Sequence, residues 1–399
     1  MKTRRVFTAA LGGVCLFAGL VTGRRIYYTV FAALCFILLL SLAVTLCALM
    51  TLRYGQRISE RTVQKRSEAV LRMDIQNSLP LAVSRIDLRY DTWESGITGE
   101  PKTMTTWLLP FGERRVDIAF SADYCGRFKV GLMGFTIHCP LGLYSITVNA
   151  ARLRYYSPLH ILVYPRGLMP DFMNLDSSLS EDRELRRGSQ AEHNLQINDL
   201  RGYNAGDPLR RIHWKLSSRR QELFVKIYED TSRPKLMLVP DCFDHGFRGL
   251  EAVMVEDAIA ESAAGISNYA LAHGVPVDLI AYPDEAIRIY GDSQAHFAAF
   301  NEGIAGLSFR GQIAVSEILR VEPPDSSTGV IVITTDISLR LFDEIVRLNM
   351  RGIRVKTLCV SPGEAKDELE KTMKELANQG IKAAHMRAGD DVIQAVSAL

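Results

Sequence analysis

The sequence predicts a multidomain chain: an N-terminal transmembrane helical hairpin, an all-β immunoglobulin-like sandwich, and a C-terminal doubly wound α/β domain. Three observations predict it. Residues 6–22 and 26–52 are apolar and carry no charge. Residues 67–165 alternate apolar and polar side chains with a period of two. From Lys235 onward, near-continuous apolar runs alternate with longer helical stretches.

The two apolar runs are separated only by Gly23, Arg24 and Arg25. The second is ample to cross a ~30 Å hydrocarbon core with some tilt. Lys2, Arg4 and Arg5 precede the first run, and Arg53, Arg57, Arg61, Lys65 and Arg66 follow the second. The connecting turn holds only Arg24 and Arg25. The excess of basic residues at the outer ends places both termini and the body on the cytoplasmic side. A cleaved signal peptide would leave the same topology, because the second run with its trailing positive charges would stop transfer. Residues 1–66 are therefore expected to form a hairpin and a basic juxtamembrane segment.

Between 67 and 166, Leu71, Met73 and Ile75 point one way and Arg72, Asp74 and Gln76 the other. Val116, Ile118 and Phe120, then Phe128, Val130 and Leu132, then Ile146 and Val148, repeat the pattern. Turn signals such as Pro110-Phe111-Gly112 and Pro140-Leu141-Gly142 recur between them. Short half-buried strands at this spacing predict an antiparallel sandwich. Residues 171–198 lose the alternation and become polar and charged, so 167–234 is expected to link the domains, with a short helix around Glu181 to Arg187.

Residues 235–399 place strands at Leu236–Val239, Val277–Ala281, Val330–Thr334 and Val355–Val360, and helices at Glu251–Ala272, Leu339–Asn349 and Ala365–Asn378. Apolar strands alternating with helices predict a parallel sheet covered on both faces. Gly352 and Gly380 follow helical runs as C-caps.

Forty-seven basic against forty-five acidic residues gives no electrostatic reason to expect nucleic-acid binding. The seven cysteines lack paired spacing, as expected of reduced thiols rather than a disulfide framework.

The most distinctive stretch runs from Asp199 to Glu229. Asn204-Ala-Gly-Asp-Pro208 reads as a turn in which Gly206 is free to take positive φ. Leu223 to Tyr228 reads as a strand. Between them Arg210, Arg211, Lys215, Arg219 and Arg220 surround Trp214. The run Arg201-x-Tyr203-x-x-Gly206-Asp207-x-x-Arg210-x-Ile212-x-Trp214-x-x-Ser217-x-Arg219 resembles the signature of the bacterial family known as domain of unknown function 58. Upstream, Cys125-Gly-Arg-Phe-Lys-Val-Gly, Pro140-Leu-Gly-Leu-Tyr and Val163-Tyr-Pro-Arg166 are similar to further segments of that family. Cys125 and Cys139 stand where Arg and Asp are usual.

The resemblance implies a membrane-anchored partner of a MoxR-type AAA+ ATPase, with a C-terminal domain similar to the von Willebrand factor A fold. A transglutaminase-like membrane protein is a further implied partner, and the bacterial cell membrane the implied location. Arg201, Tyr203, Gly206, Asp207, Arg210, Arg211, Trp214 and Arg219 are the candidate partner-binding or interdomain residues. Arg and Trp are frequent interface anchors.

A metal-binding A-type domain needs Asp-x-Ser-x-Ser after its first strand, to offer hard oxygen ligands. Here that run is Asp241-Cys-Phe-Asp-His245, with Phe243 and His245 in place of both serines. Asp241 and a later Asp336 are the remnants of a degenerate site, so no metal or other cofactor is expected. His213 and the Cys242–His245 pair lack the third group that orients a catalytic base. No G-x-x-x-x-G-K-[ST], H-E-x-x-H or G-x-S-x-G occurs. The expected function is that of a noncatalytic adaptor, recruiting the ATPase to a membrane or cell-envelope assembly. A metal-dependent A-type binding module and a hydrolase using the signature segment are the alternatives.

Overall fold

The computed structural model describes residues 2–92, 102–152, 159–168, 197–202, 217–218, 222–228, 235–325, 327–364 and 367–398. The helix expected around Glu181 to Arg187 lies outside them. The chain divides into two compact units, residues 1–164 with 248–253, and residues 165–247 with 254–399.

The first unit opens with two helices, α1 (Lys2–Thr22) and α2 (Arg25–Thr51). Both are long and apolar enough to cross a membrane. They pack where α1 is small: a Cβ on Gly19 would lie 3.1 Å from the Tyr28 ring, and one on Gly12 3.3 Å from Leu34. Small residues let the two helix backbones approach closely.

At 27 residues α2 is about 40 Å long, more than a ~30 Å hydrocarbon core requires. Its last turns serve the β-rich body. Ser41, Thr45 and Ala48 are buried, and Leu49 and Leu52 pack on the sandwich core. The Tyr144 hydroxyl lies 3.4 Å from those of Ser41 and Thr45, and Arg5 Nε donates to the Leu143 carbonyl.

The body contains β1 (Arg53–Ile58), β2 (Thr62–Gln64), β3 (Glu68–Gln76), β4 (Val83–Asp91), β5 (Lys102–Leu108), β6 (Glu113–Ser121), β7 (Gly126–His138), β8 (Ser145–Asn149) and β9 (Leu159–Tyr164). One sheet has the order β1-β3-β6, and the other β2-β9-β7-β4-β5 with β8 beside β7. Residues 53–66 thus supply strands β1 and β2. All these pairings are antiparallel except β2 with β9.

The alternation delivers Ala69, Leu71, Met73 and Ile75 to a shared core with Ile86, Leu88, Phe135, Ile137 and Ile161 of the facing sheet. In β7 the phase changes: Val130 and Leu132 are buried, then Phe135 and Ile137. A register shift between Arg89 and Tyr90 leaves exposed Met133 as the extra residue.

In the second unit β10 (Ile197–Gly202) and β11 (Phe224–Tyr228) form an antiparallel pair. Beyond it lie β12 (Lys235–Pro240), α3 (Leu250–Ala272), β13 (Val277–Ala281), β14 (Ile287–Gly291), α4 (Phe297–Ala305), α5 (Val315–Val321), β15 (Thr328–Thr334), α6 (Leu339–Met350), β16 (Val355–Ser361), α7 (Asp367–Asn378), β17 (Lys382–Arg387) and α8 (Val392–Ser397). The sheet order is β14-β13-β12-β15-β16-β17.

The sheet is mixed, not wholly parallel as the alternation predicts. β14 runs antiparallel to β13, because the few residues between them cannot make a crossover. Val330 and Val332 join α5, α6 and α7 in one apolar cluster, while the intervening Ile331 and Ile333 are buried outside it. Gly352 and Gly380 take the left-handed conformation after α6 and α7, as expected of C-caps.

Candidate functional site

β12 and β15 are neighbours in the sheet, and the chain leaves them in opposite directions, toward β13 and toward β16. The crevice beyond their C-terminal ends is the switch point at which open α/β sheets usually build their sites. Asp241 follows β12 there, and Thr334 ends β15.

The Asp241 side chain is 3% exposed, so its oxygens require donors from the protein. They have three. Oδ2 accepts from the Thr334 hydroxyl at 2.7 Å and pairs with His245 Nε2 at 2.8 Å. Oδ1 accepts from the Phe243 amide at 3.0 Å. The Asp241 amide donates to the Ile333 carbonyl, locking the strand end to β15. Thr334 Oγ1 also lies 2.9 Å from the Asp336 carbonyl and accepts from the Asp336 amide. Asp336 therefore meets this cluster through its backbone.

A metal held here would need open oxygens, and these residues do not fit one. Both Asp241 oxygens are occupied, Phe243 offers no ligand, and His245 takes the place where a cation would neutralise the carboxylate. Among the described residues no group of three His, Cys, Asp or Glu side chains is arranged to hold a metal ion. Burial works against the His245 proton, but its bond to Asp241 and the charges of Asp241, Asp336 and Asp244 raise the pKa above the usual histidine value.

The neighbouring thiols are poor nucleophiles. Burial, with Asp241 and Glu256 nearby, pushes the Cys242 thiol far up, and burial with Asp336 and Asp241 pushes Cys359 to about 12. Burial also raises Glu256 of α3 to about 7, with Arg310 opposing and Asp244 adding to the rise.

The loop is held from outside by Gly311. Its amide donates to the Cys242 carbonyl, its carbonyl accepts from the Asp244 amide, and it bridges Phe243. A Cβ here would lie 2.3 Å from the Tyr282 carbonyl oxygen and 2.7 Å from that of Pro283. Sequence reasoning picked out Asp241 but missed Thr334 and Gly311, which carry no motif.

Arg166, which closes a family-like segment, was given no partner from the sequence; its guanidinium forks onto Glu261 of α3 at 2.8 and 3.4 Å. Glu261 is 3% exposed, and this bond holds the Arg166 proton more tightly than usual.

Of the signature residues, Arg201 lies in β10 opposite Val225 of β11. Tyr203, Gly206, Asp207, Arg210, Arg211, Trp214 and Arg219 lie outside the described residues. Ser217 is buried, and its hydroxyl accepts from the Phe224 amide at 2.9 Å, at the entry to β11.

No curated protein matches the chain. Among solved structures it is similar to the CARDB domain of a Pyrococcus furiosus protein, at 15% identity and a TM-score of 0.20 over 28% of this chain and 90% of that one. It is also similar to proximal thread matrix protein 1 of the mussel byssus, at 13% identity and a TM-score of 0.29 over 41% of this chain and 46% of the mussel protein. Likenesses this remote carry no argument. Residues 199–375, from the signature through most of the α/β unit, match the family described as protein of unknown function DUF58.

Proposed function

We propose that this protein is a noncatalytic, membrane-anchored adaptor that docks a MoxR-type AAA+ ATPase. The observation that carries the noncatalytic part is the closure of the strand-end site. Its carboxylate is sealed by Thr334, His245 and the Phe243 amide, and its thiols hold their protons. A site so arranged offers neither an open metal position nor an activated nucleophile. The apolar helix pair at the N-terminus supports anchoring, and the bias of flanking arginines and lysines supports a cytoplasmic body. The ATPase partner rests on family resemblance. Its docking surface, in this reading, is the arginine cluster around Trp214, and a transglutaminase-like membrane protein is a second partner.

Binding of purified MoxR-type ATPase to the full chain in detergent tests the proposal. Arg210→Ala, Arg211→Ala and Arg219→Ala are each made and assayed beside a melting curve. At least one is expected to weaken binding by about 2 kcal/mol while melting as the parent does, the loss typical of an interface anchor. Normal binding by all three would remove the signature segment as the docking site.

A further inference from the structure

Four connections meet at one end of the β-sandwich: α2 into β1, β3 into β4, β5 into β6, and β7 into β8. Register establishes this, since Arg53 opposes Gln76, Gln76 opposes Glu113, Val83 opposes Leu108, and β7 pairs its last residue, His138, with Ser145. The helix pair reaches the body at the same end. Arg5 donates to the Leu143 carbonyl, and an Arg4 guanidinium nitrogen lies 2.9 Å from where a Cβ of Gly142 would be.

That end carries an apolar tip. Leu81 is 48% exposed, Leu109 58%, Phe111 69% and Leu141 40%. Beside it Trp107 is also exposed, with the Arg114 guanidinium 4.9 Å from its ring centroid. Tryptophan and arginine together suit the headgroup layer, where one wants an amphipathic ring and the other an anion.

Part of the tip's backbone is hydrogen-bonded internally. The Phe111 amide donates to the Leu79 carbonyl, Gly112 to Leu109, and Asn77 to Gly112. The buried Asn77 side chain donates to the Leu81 and Leu109 carbonyls and accepts from the Leu79 amide. Pro80 and Pro110 have no amide hydrogen to desolvate. Each of these internal bonds lowers the cost of moving the tip toward lipid. Phe111 moreover sits at φ 52°, where glycine or asparagine would be less strained. Solvent gives no reason to keep a phenylalanine there, whereas lipid does.

We infer that this end of the sandwich dips into the interfacial layer of the anchor's own membrane through Phe111, Leu109, Leu81 and Leu141, with Arg4, Arg5 and Arg114 at the headgroups. The inference rests on the anchoring proposed above, and it makes the hairpin and the tip one continuous lipid contact. The body is thereby seated on the bilayer rather than tethered below it.

The full chain, reconstituted in vesicles of phosphatidylethanolamine and phosphatidylglycerol, tests this with a photoreactive benzoylphenylalanine. It is placed in turn at Phe111, at Leu81, at Phe36 in α2 and at exposed Tyr290 in the second unit. Lipid adducts are expected at 36, 111 and 81, with none above background at 290. Adducts at 36 but at neither 111 nor 81 would overturn the inference and leave the anchor standing. Loss of adducts at 36 as well would remove the anchor, and this inference with it. Phe111→Asn, which suits the left-handed turn, is expected to melt no lower than the parent in detergent. A marked drop would assign Phe111 to the fold instead of the membrane.

Discussion

Replacing Asp241 by alanine is expected to cost the α/β unit about 3–5 kcal/mol in mild acid, where His245 carries its proton, the penalty for breaking a buried charged pair on one side only. The Thr334 hydroxyl, the Phe243 amide and His245 would each lose an acceptor in a place water reaches poorly. The effect should depend on pH. Because the folded pKa of His245 lies above its usual 6.5, the pair's contribution is fully present below that value and is lost as pH rises through the raised one. The cost of Asp241→Ala should therefore be greatest in mild acid and shrink toward alkaline pH. Denaturant melts from pH 5.5 to 9, with hydrogen exchange of the β12 and β15 amides as the local probe, measure this. An Asp241→Ala variant as stable as the parent at every pH would mean that the strand-end network holds nothing together.

Gly311→Ala should be nearly as damaging, for a steric reason. Its Cβ would press on three backbone oxygens, those of Tyr282, Pro283 and Cys242, at 2.3 to 2.9 Å. Backbone cannot swing aside as a flexible side chain can, so the Asp241–His245 loop would have to move. A loss of roughly 3 kcal/mol is expected, in the range of severe overpacking. Gly329→Ala in β15 is the control. Nothing lies within 4 Å of a Cβ there, and a strand interior favours alanine over glycine, so its change should stay within about 1 kcal/mol. Equal stability of the two variants would contradict the packing described around Gly311.

Much of the architecture could be read from periodicity. Leu71, Met73 and Ile75 face the core because strand side chains alternate, and the run Val330–Ile333 is apolar throughout because both faces of its sheet are covered. What escaped has physical causes. A bulge at Met133, flanked by Gly131 and Gly134, changes the phase of β7, and strict alternation does not anticipate it. Helix α3 reads as a stripe through Val255, Ile259 and Ala263, yet Asp257, Glu261, Ser262, Ser267 and Asn268 are buried as well. It is enclosed on all sides from Asp257 to Leu271; Ser262 bonds the Ala258 carbonyl and Glu261 takes Arg166 as its partner. The end of α2 escaped because side chains suited to lipid and to a protein core are the same: Ala48, Leu49 and Leu52 look like more of the span and pack into the sandwich. At the strand-end site, Asp241 stood out through a known spacing. Thr334 and Gly311 come from distant parts of the chain, and only folding brings them to it.

The central claim is that the strand-end position is closed by His245 and unavailable to a metal. The most direct measurement follows the ring nitrogens of His245 by NMR in the full chain in detergent, with a His245→Gln variant for assignment. The ring is expected to titrate above 6.5, with signals unchanged by Mg²⁺ or Mn²⁺ added at neutral pH. A saturable change on adding Mg²⁺, lost in Asp241→Ala, would contradict it and make the protein a metal-dependent binding module.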